Sequence, residues 1–322
     1  MLQRSVCQPW RPDRAADAAR ERCACTASRD NDPGNKVASA AVRRDTEQRA
    51  WLDRSKRHPS MHHPARLVEE LMNAAISGAD LLAATQALHA RIAAQRDAIE
   101  TSRRLPEALA RDLARAGLFR IFLPAAYGGL DMTPTDGIAV FEALARADAS
   151  VAWCVWNGNT HWTAAQLSPE AAHAIHDDPD VITANSTRPS GQAHVVDDGY
   201  RVTGRWSLVS GCELASWMVL WASVYEYGKP RMTLSGGPDI RFMLLPASQC
   251  EIIDTWTVGG LRGTGSHDVA VHDVFVPIAY ASGFFDGYVL PEPRYRIPAF
   301  CRVIPGLGAM ALGIACTAIE TL

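Results

Sequence analysis

A chain of 322 residues, 48% of them hydrophobic and 21% charged, can bury one large or two ordinary cores and has the composition of a globular protein. Its formal net charge of -3 gives no electrostatic reason to expect nucleic acid or an anionic membrane as a partner, and no run of about 18 apolar residues stands out as a membrane span. The eight cysteines are scattered, with no CxxC pair, which reads as a reducing cytoplasm rather than a disulfide framework.

Residues 1–60 are rich in arginine, aspartate and small residues and hold too little leucine, isoleucine and valine to order themselves. Asp13, Asp17, Glu21, Asp30 and Asp32 are unlike a transit peptide, and there is no apolar core of a secretory signal. Cys23 and Cys25 have no further ligand at zinc spacing. The expectation is a disordered or mis-started leader, with Met61 a natural beginning for the folded part. A helical domain is expected over 61–180, a β-sheet domain over 181–280, and the opening of a second helical domain over 281–322.

Two helices are expected within 80–116. Leu81, Leu82, Leu88, Ile92 and Ile99, then Leu105, Leu109 and Leu113, keep the helical period, and Pro106 stands near the start of the second. An apolar connector at 117–124 leads to a turn at Tyr127-Gly128-Gly129. Helices resume at about 135–147 and 150–166. On the latter, Trp153 and His161 are eight positions apart, close to two turns, and are expected on one face with Asn157 a turn from each. A histidine beside Trp153, Trp156 and Trp162 is either a pocket residue or a hydrogen-bonded interior one. A short helix is expected near 169–176.

From Val181 the period changes to two. Short runs at 199–207, 217–225, 241–245, 250–255 and 268–276, rich in Val, Trp and Thr and separated by Gly, Pro and Asp turns, read as an antiparallel sheet. Between the first two lies Trp206-Ser207-Leu208-Val209-Ser210-Gly211. Two hydroxyls, a flexible glycine and a flat indole at one turn can hold a planar ligand; the same residues also suit an ordinary tight connection over a core tryptophan. The loop 259–266 is glycine-rich but leads into a strand, so neither a phosphate loop nor a dinucleotide fingerprint fits. An apolar helix from about Phe300 closes the sequence, with small residues suited to close packing, and a further helical layer is expected to be lost here or supplied by another chain.

This order of helices, antiparallel strands and helices again, an α+β arrangement, resembles the acyl-CoA dehydrogenase fold. The stretches AGLFRIFLPAAYGG (116–129), GRWSLVSGCELASW (204–217) and GLRGTGSHDVAVHDVFVP (260–277) are similar to that superfamily's signatures. Within it they most resemble the oxygenase components of two-component flavin-dependent aromatic monooxygenases, over about residues 80 to 322. Two features depart from the dehydrogenases proper. Thr187-Arg188-Pro189 stands where they carry Thr-Glu-Pro followed by Gly-Ser-Asp, and Cys301 precedes Arg302 where some of them place a glutamate base. A thiol with a pKa near about 8.5 is a poor base for abstracting an α-proton.

The resemblance implies reduced flavin, FMNH2 or FADH2, delivered by a separate reductase, reacting with oxygen to a C4a-hydroperoxide that hydroxylates a phenolic or other small aromatic substrate. It places Ser210 at the flavin N5 and assigns Trp153, Ser186, Thr187, Trp206 and Ser207 to the isoalloxazine pocket. His161 is expected at the substrate hydroxyl, sharing one hollow with Ser210, and Arg302 near the flavin. It also implies a homo-oligomer, a tetramer. If the natural chain ended at Leu322, weak flavin binding and little hydroxylation would be expected. The rival readings are a thioester or nitroalkane dehydrogenase or oxidase on the same fold, and a non-catalytic remnant of it.

Overall fold

Ser77 and Thr133 each open a helix for the same reason. Ser77 precedes α1 (Gly78–Ala87); its hydroxyl accepts from the Asp80 amide, and the Asp80 carboxylate accepts from the Ser77 amide at 3.1 Å. Thr133 and Asp136 repeat this reciprocal cap before α5 (Pro134–Ala147), satisfying amides that have no partner inside the helix. The structure, a computed structural model, describes Ala50, Trp51, Asp53, 76–283 and 286–322, without the side chains at 299, 300 and 302. Between those two caps, the first expected helix is divided into α1, α2 (His89–Ala93) and α3 (Arg96–Ser102), closed by Arg103 in the left-handed region; α4 (Glu107–Arg115) starts at Pro106.

The helix expected over 150–166 is half that length. Asp148 caps α6 (Ala149–Gly158), and Asn159 ends it. The Asn159 side chain is buried and fully used: its Oδ1 accepts from Ile121 N at 2.9 Å, and its Nδ2 donates to Leu118 O and Val155 O, both at 2.7 Å. Those bonds tie the helix end to the apolar connector, so the chain turns there into a 3-10 segment, His161–Gln166, before α7 (Pro169–His176). Trp153 and His161 therefore do not share a helix face, and this corrects the reading from spacing.

Eight strands follow: β1 (Thr183–Val196), β2 (Gly199–Val209), β3 (Trp217–Glu226), β4 (Lys229–Pro230), β5 (Ile240–Pro246), β6 (Glu251–Ile253), β7 (His267–Pro277) and β8 (Ala281–Gly283). They form one sheet in the order β6-β7-β2-β1-β3-β5-β8, with β4 paired to β3. The expected antiparallel sheet is in fact mixed. β1 and β2 form a hairpin, and the chain then crosses to the far side of β1; a strand opposed to β2 but placed beside β1 must run parallel to it, as β3 does.

Trp206 fixes the middle of this sheet. It is fully buried, its indole Nε1 donates to Trp221 O at 2.6 Å, and its ring lies over Gly191 and Gly204 on β1 and β2. A Cβ at Gly191 would fall 2.1 Å from Trp206 Cζ2, so only glycine leaves the slot open. Gly191→Ala is expected to cost about 1–3 kcal/mol by overpacking, read as a lower midpoint of urea unfolding. An unchanged midpoint would show that the indole moves freely.

Of residues 1–60 only Ala50, Trp51 and Asp53 are described, so the rest of the leader expectation lies outside the described residues. Trp51 is buried, with its ring 5.6 Å from that of Trp217 and 4.2 Å from that of Tyr280; this one residue does contribute to the core. The last helix, α8 (Ala299–Glu320), packs on α5, where a Cβ at Gly313 would meet Glu142 O at 2.5 Å and Thr317 Oγ1 donates to Arg146 O. Its segment Val303–Glu320 has a mean hydropathy of 1.7 and is long and apolar enough to cross a membrane by length and composition, contrary to the expectation from the sequence. The interspersed glycines and threonine hide that run from a simple count of apolar residues.

Candidate functional site

Residues three apart in a regular strand point to opposite faces, yet Ser207 and Ser210 line the same cleft. A bulge brings them together. The register of β2 with β7 shifts between Trp206 and Val209, and Leu208 takes a φ of 61°, a left-handed conformation that costs a non-glycine residue about 1–2 kcal/mol. Gly211, with a φ of 72°, completes the turn, and its amide donates to Thr264 O at 2.8 Å.

The cleft has a volume of about 360 Å³. Trp153, Trp156 and Asn157 enter it from α6; Asn185, Ser186, Thr187 and Arg188 from an irregular stretch of β1; Ser207, Leu208 and Ser210 from β2 and the turn after it; and Trp256, followed by Leu261, Thr264 and Ser266 of the glycine-rich loop, from the segment before β7. Hydrogen bonds join these elements. Trp153 Nε1 donates to Ser210 Oγ at 2.9 Å, Ser210 and Ser266 hydroxyls lie 2.7 Å apart, and Ser186 Oγ donates to Ser207 O at 3.2 Å. Among the described residues that line it, Arg188 is the one charged group, and there is no carboxylate or histidine. Such a wall offers indole faces, hydroxyls, amides and one cation, which suits holding a flat, polar-edged ring and excluding water from it. A smaller hollow of about 70 Å³ adjoins it, sharing Trp156, Asn157, Asn185 and Thr187 and closed by Trp162, Trp221 and Phe242.

A larger pocket, about 570 Å³, lies elsewhere, beside α3 and α4. Its lining mixes charges of both signs, and Arg104 already pairs with Glu213 at 3.1 Å. Size alone does not make it the site; the convergence of indoles and hydroxyls favours the smaller cleft. Beneath that cleft, Cys154 Sγ donates to Thr264 O and Cys212 Sγ to Gly265 O. Burial raises both thiols, that of Cys212 to about 12, so they act as packing groups and not as nucleophiles.

The residues expected from the sequence divide sharply. Trp153, Ser186, Thr187, Ser207 and Ser210 all reach the cleft. Trp206 does not, because it occupies its slot inside the sheet. The Arg302 side chain lies outside the described residues. His161 is also elsewhere: it is 1% exposed, with Nδ1 3.1 Å from His176 Nδ1 and Nε2 3.3 Å from Thr183 Oγ1. Among the described residues, His161 lines neither the cleft of Ser210 nor the hollow beside it, contrary to the expectation of one shared hollow.

The protons in that buried knot can be placed. Thr183 Oγ1 donates to Gly158 O at 2.9 Å, so it receives the Nε2 proton of His161. His161 Nδ1 then accepts from His176 Nδ1. This leaves His176 Nε2 as a bare acceptor, which finds no partner among the described residues. Arg120, buried above the pair, donates to Gly128 O, His176 O and Asp178 O. Burial first, and then the guanidinium, pushes His161 down to about 3, and burial lowers His176 as well; both are neutral.

Asn185, Trp256, Thr264 and Ser266 are cleft residues that sequence reasoning did not single out. Thr264 and Ser266 belong to the glycine-rich loop, whose glycines carry no mark of which hydroxyls the loop turns towards the cleft.

An α-helical domain on a mixed sheet, with a hydroxyl- and indole-lined cleft where they meet, defines the acyl-CoA dehydrogenase fold class. Residues 81–170 match the model of the acyl-CoA dehydrogenase N-terminal domain. The chain is 37% identical over 180 residues to the flavin-dependent monooxygenase oxygenase subunit HsaA of Rhodococcus jostii, covering 55% of this chain and 45% of that one. It is 36% identical over 180 residues to the FADH(2)-dependent resorcinol hydroxylase oxygenase component of a Rhizobium species, covering 55% and 42%. The crystal structure of HsaA from M. tuberculosis superposes with a TM-score of 0.70 at 30% identity, over 76% of this chain and 68% of that one. The chain belongs to the family of flavin-dependent monooxygenase oxygenase subunits built on that fold. It spans about half the length of the curated relatives it matches.

Proposed function

We propose that this chain is the oxygenase component of a two-component flavin-dependent monooxygenase, using reduced flavin and dioxygen to hydroxylate a phenolic or other small aromatic substrate. The observation that carries the proposal is the convergence of Trp153, Ser186, Thr187, Ser207 and Ser210 on one cleft without a titratable base among its described lining residues. When bound there, the flavin supplies the oxygen chemistry. Trp153 and Trp156 offer faces to the ring system, while Ser186, Thr187 and Ser210 hold its polar edge. Arg188 offers positive charge to a reduced, anionic ring or a flavin phosphate. The adjoining hollow between Trp162, Trp221 and Phe242 is the place for an aromatic substrate. A separate reductase would provide the reduced flavin by diffusion. A homotetramer and a reducing cytoplasm complete the reading, the latter supported by the buried free thiols of Cys154 and Cys212.

Arg188 stands where the dehydrogenases' Thr-Glu-Pro motif carries glutamate, and this altered loop favours the monooxygenase reading over a thioester dehydrogenase.

The test is an anaerobic titration with reduced FMN and reduced FAD, followed by oxygen and a panel of phenols, with hydroxylated product measured by mass spectrometry. Saturable binding and a hydroxylated phenol are expected. Failure to bind either reduced flavin would overturn the proposal. In this assay Ser210→Ala is expected to lower the product formed per reduced flavin consumed about tenfold, the worth of one hydrogen bond to the bound ring. An unaltered yield would remove Ser210 from the site.

A further inference from the structure

Four side chains form a hydrogen-bonded line along the wall of the cleft: Trp153, Ser210, Ser266 and Thr264. The separations are 2.9 Å from Trp153 Nε1 to Ser210 Oγ, 2.7 Å from Ser210 to Ser266, and 2.6 Å from Ser266 to Thr264 Oγ1. Thr264 Oγ1 lies 2.9 Å from Leu261 O. The two ends have fixed polarity, because an indole N–H can only donate and a carbonyl can only accept.

The direction of every bond between them follows. Thr264 spends its one proton on Leu261 O and accepts from Ser266. Ser266 therefore accepts from Ser210, and Ser210 accepts from Trp153. The three hydroxyls are 4%, 3% and 1% exposed for Ser210, Ser266 and Thr264, so bulk water does not reorient them. The loop is clamped as well, with Thr264 O receiving the Gly211 amide. Ser210 thus has no proton left for the cleft it borders. What it presents there is its second lone pair.

We propose that this directed line of hydroxyls makes Ser210 an obligatory hydrogen-bond acceptor, so that the cleft selects the reduced flavin, whose N5 carries a hydrogen, over the oxidised flavin, whose N5 is a bare acceptor. Thr264 and Ser266 are then positioning residues that set the redox form the site takes, acting through Ser210. The inference rests on the flavin-binding reading above. It adds a physical reason why one redox form is held and the other released: two lone pairs facing each other at hydrogen-bond distance repel.

Thr264 and Ser266 are themselves part of the cleft wall, and two substitutions break the line there while changing that wall by no more than one side-chain oxygen each. In Thr264→Val the Ser266 proton loses its acceptor and turns to Ser210; in Ser266→Ala the Ser210 proton loses its acceptor outright. In both, Ser210 becomes a donor toward the cleft. The measurement is the dissociation constant of reduced and of oxidised FMN and FAD, taken anaerobically by fluorescence quenching on the same protein. Wild type is expected to bind the reduced form more tightly. Each variant is expected to shrink the reduced-over-oxidised preference about tenfold, while Thr264→Ser, which restores the hydroxyl, keeps it. The same change would appear as a shift of about 30 mV in the two-electron potential of the bound flavin. If reduced flavin binds but both variants keep the wild-type preference, the directed line is refuted and the flavin site stands. If wild type binds neither form, the functional reading falls and the inference with it.

Discussion

Trp206→Ala is expected to remove about 3–5 kcal/mol of stability, a large share of the roughly 5–15 kcal/mol that holds a typical domain together. The indole is fully buried, its N–H is bonded to Trp221 O, and the glycine slot that receives it cannot collapse without moving β1 against β2. A fall in the denaturant midpoint measures the loss. Trp206→Phe retains most of the ring and is expected to lose mainly the hydrogen bond, about 1 kcal/mol. The pair of variants also separates two roles. If Trp206 is a sheet residue, Trp206→Phe leaves reduced-flavin affinity unchanged; if it stacks on the ligand, affinity falls with little change in stability. Loss of less than about 1 kcal/mol in Trp206→Ala would contradict the buried placement.

The two roles of Trp206 look the same in the local sequence. The sequence pattern places Trp206 one residue before Ser207 and four before Ser210, and either reading, a stacking face or a core indole, is compatible with that spacing. Only the close approach of Gly191 to Gly204 beneath the indole decides it, and that approach depends on how β1 lies against β2. The hydroxyls were more legible, because the Ser-Gly turn and the Ser186-Thr187 pair sit in motifs whose context is itself local. Even so, the bulge at Leu208, without which Ser207 and Ser210 would face apart, has no sequence mark of its own: leucine is an unexpected residue at a positive φ. The helical period located α5 and α7 well, since Pro134 and Pro169 stand at first-turn positions behind Thr133 and Ser168. It failed at Asn159, where a side chain bonded to a distant connector ended a helix whose apolar pattern continued. The parallel pairing of β1 and β3 likewise follows from a crossover that no strand announces by itself.

That early stop places His161 in the interior, and the same placement gives the protein an acid-sensitive element. An unfolded histidine titrates near about 6.5. In the folded chain His161 is pushed down to about 3 by burial and by Arg120, and His176 is lowered by burial, by His161, by Arg120 and by His173. Both folded values lie below the unfolded one, so on acidification the unfolded chain takes up protons that the folded chain refuses. The stability due to neutral burial is fully present above about pH 6.5 and is lost as the pH falls from there towards 3, at about 1.4 kcal/mol per pH unit for each histidine. Two such groups give a slope approaching about 3 kcal/mol per unit. Between about pH 5 and 6.5 most carboxylates remain ionised, so this window isolates the histidines. Urea unfolding measured at half-unit steps should show the loss, and the double variant His161→Gln/His176→Gln, which cannot titrate, should flatten it whatever its absolute stability. A wild-type curve that is level between pH 5 and 6.5 would mean that water or a counter-charge reaches the pair, and that His161 is open to the ligand side after all.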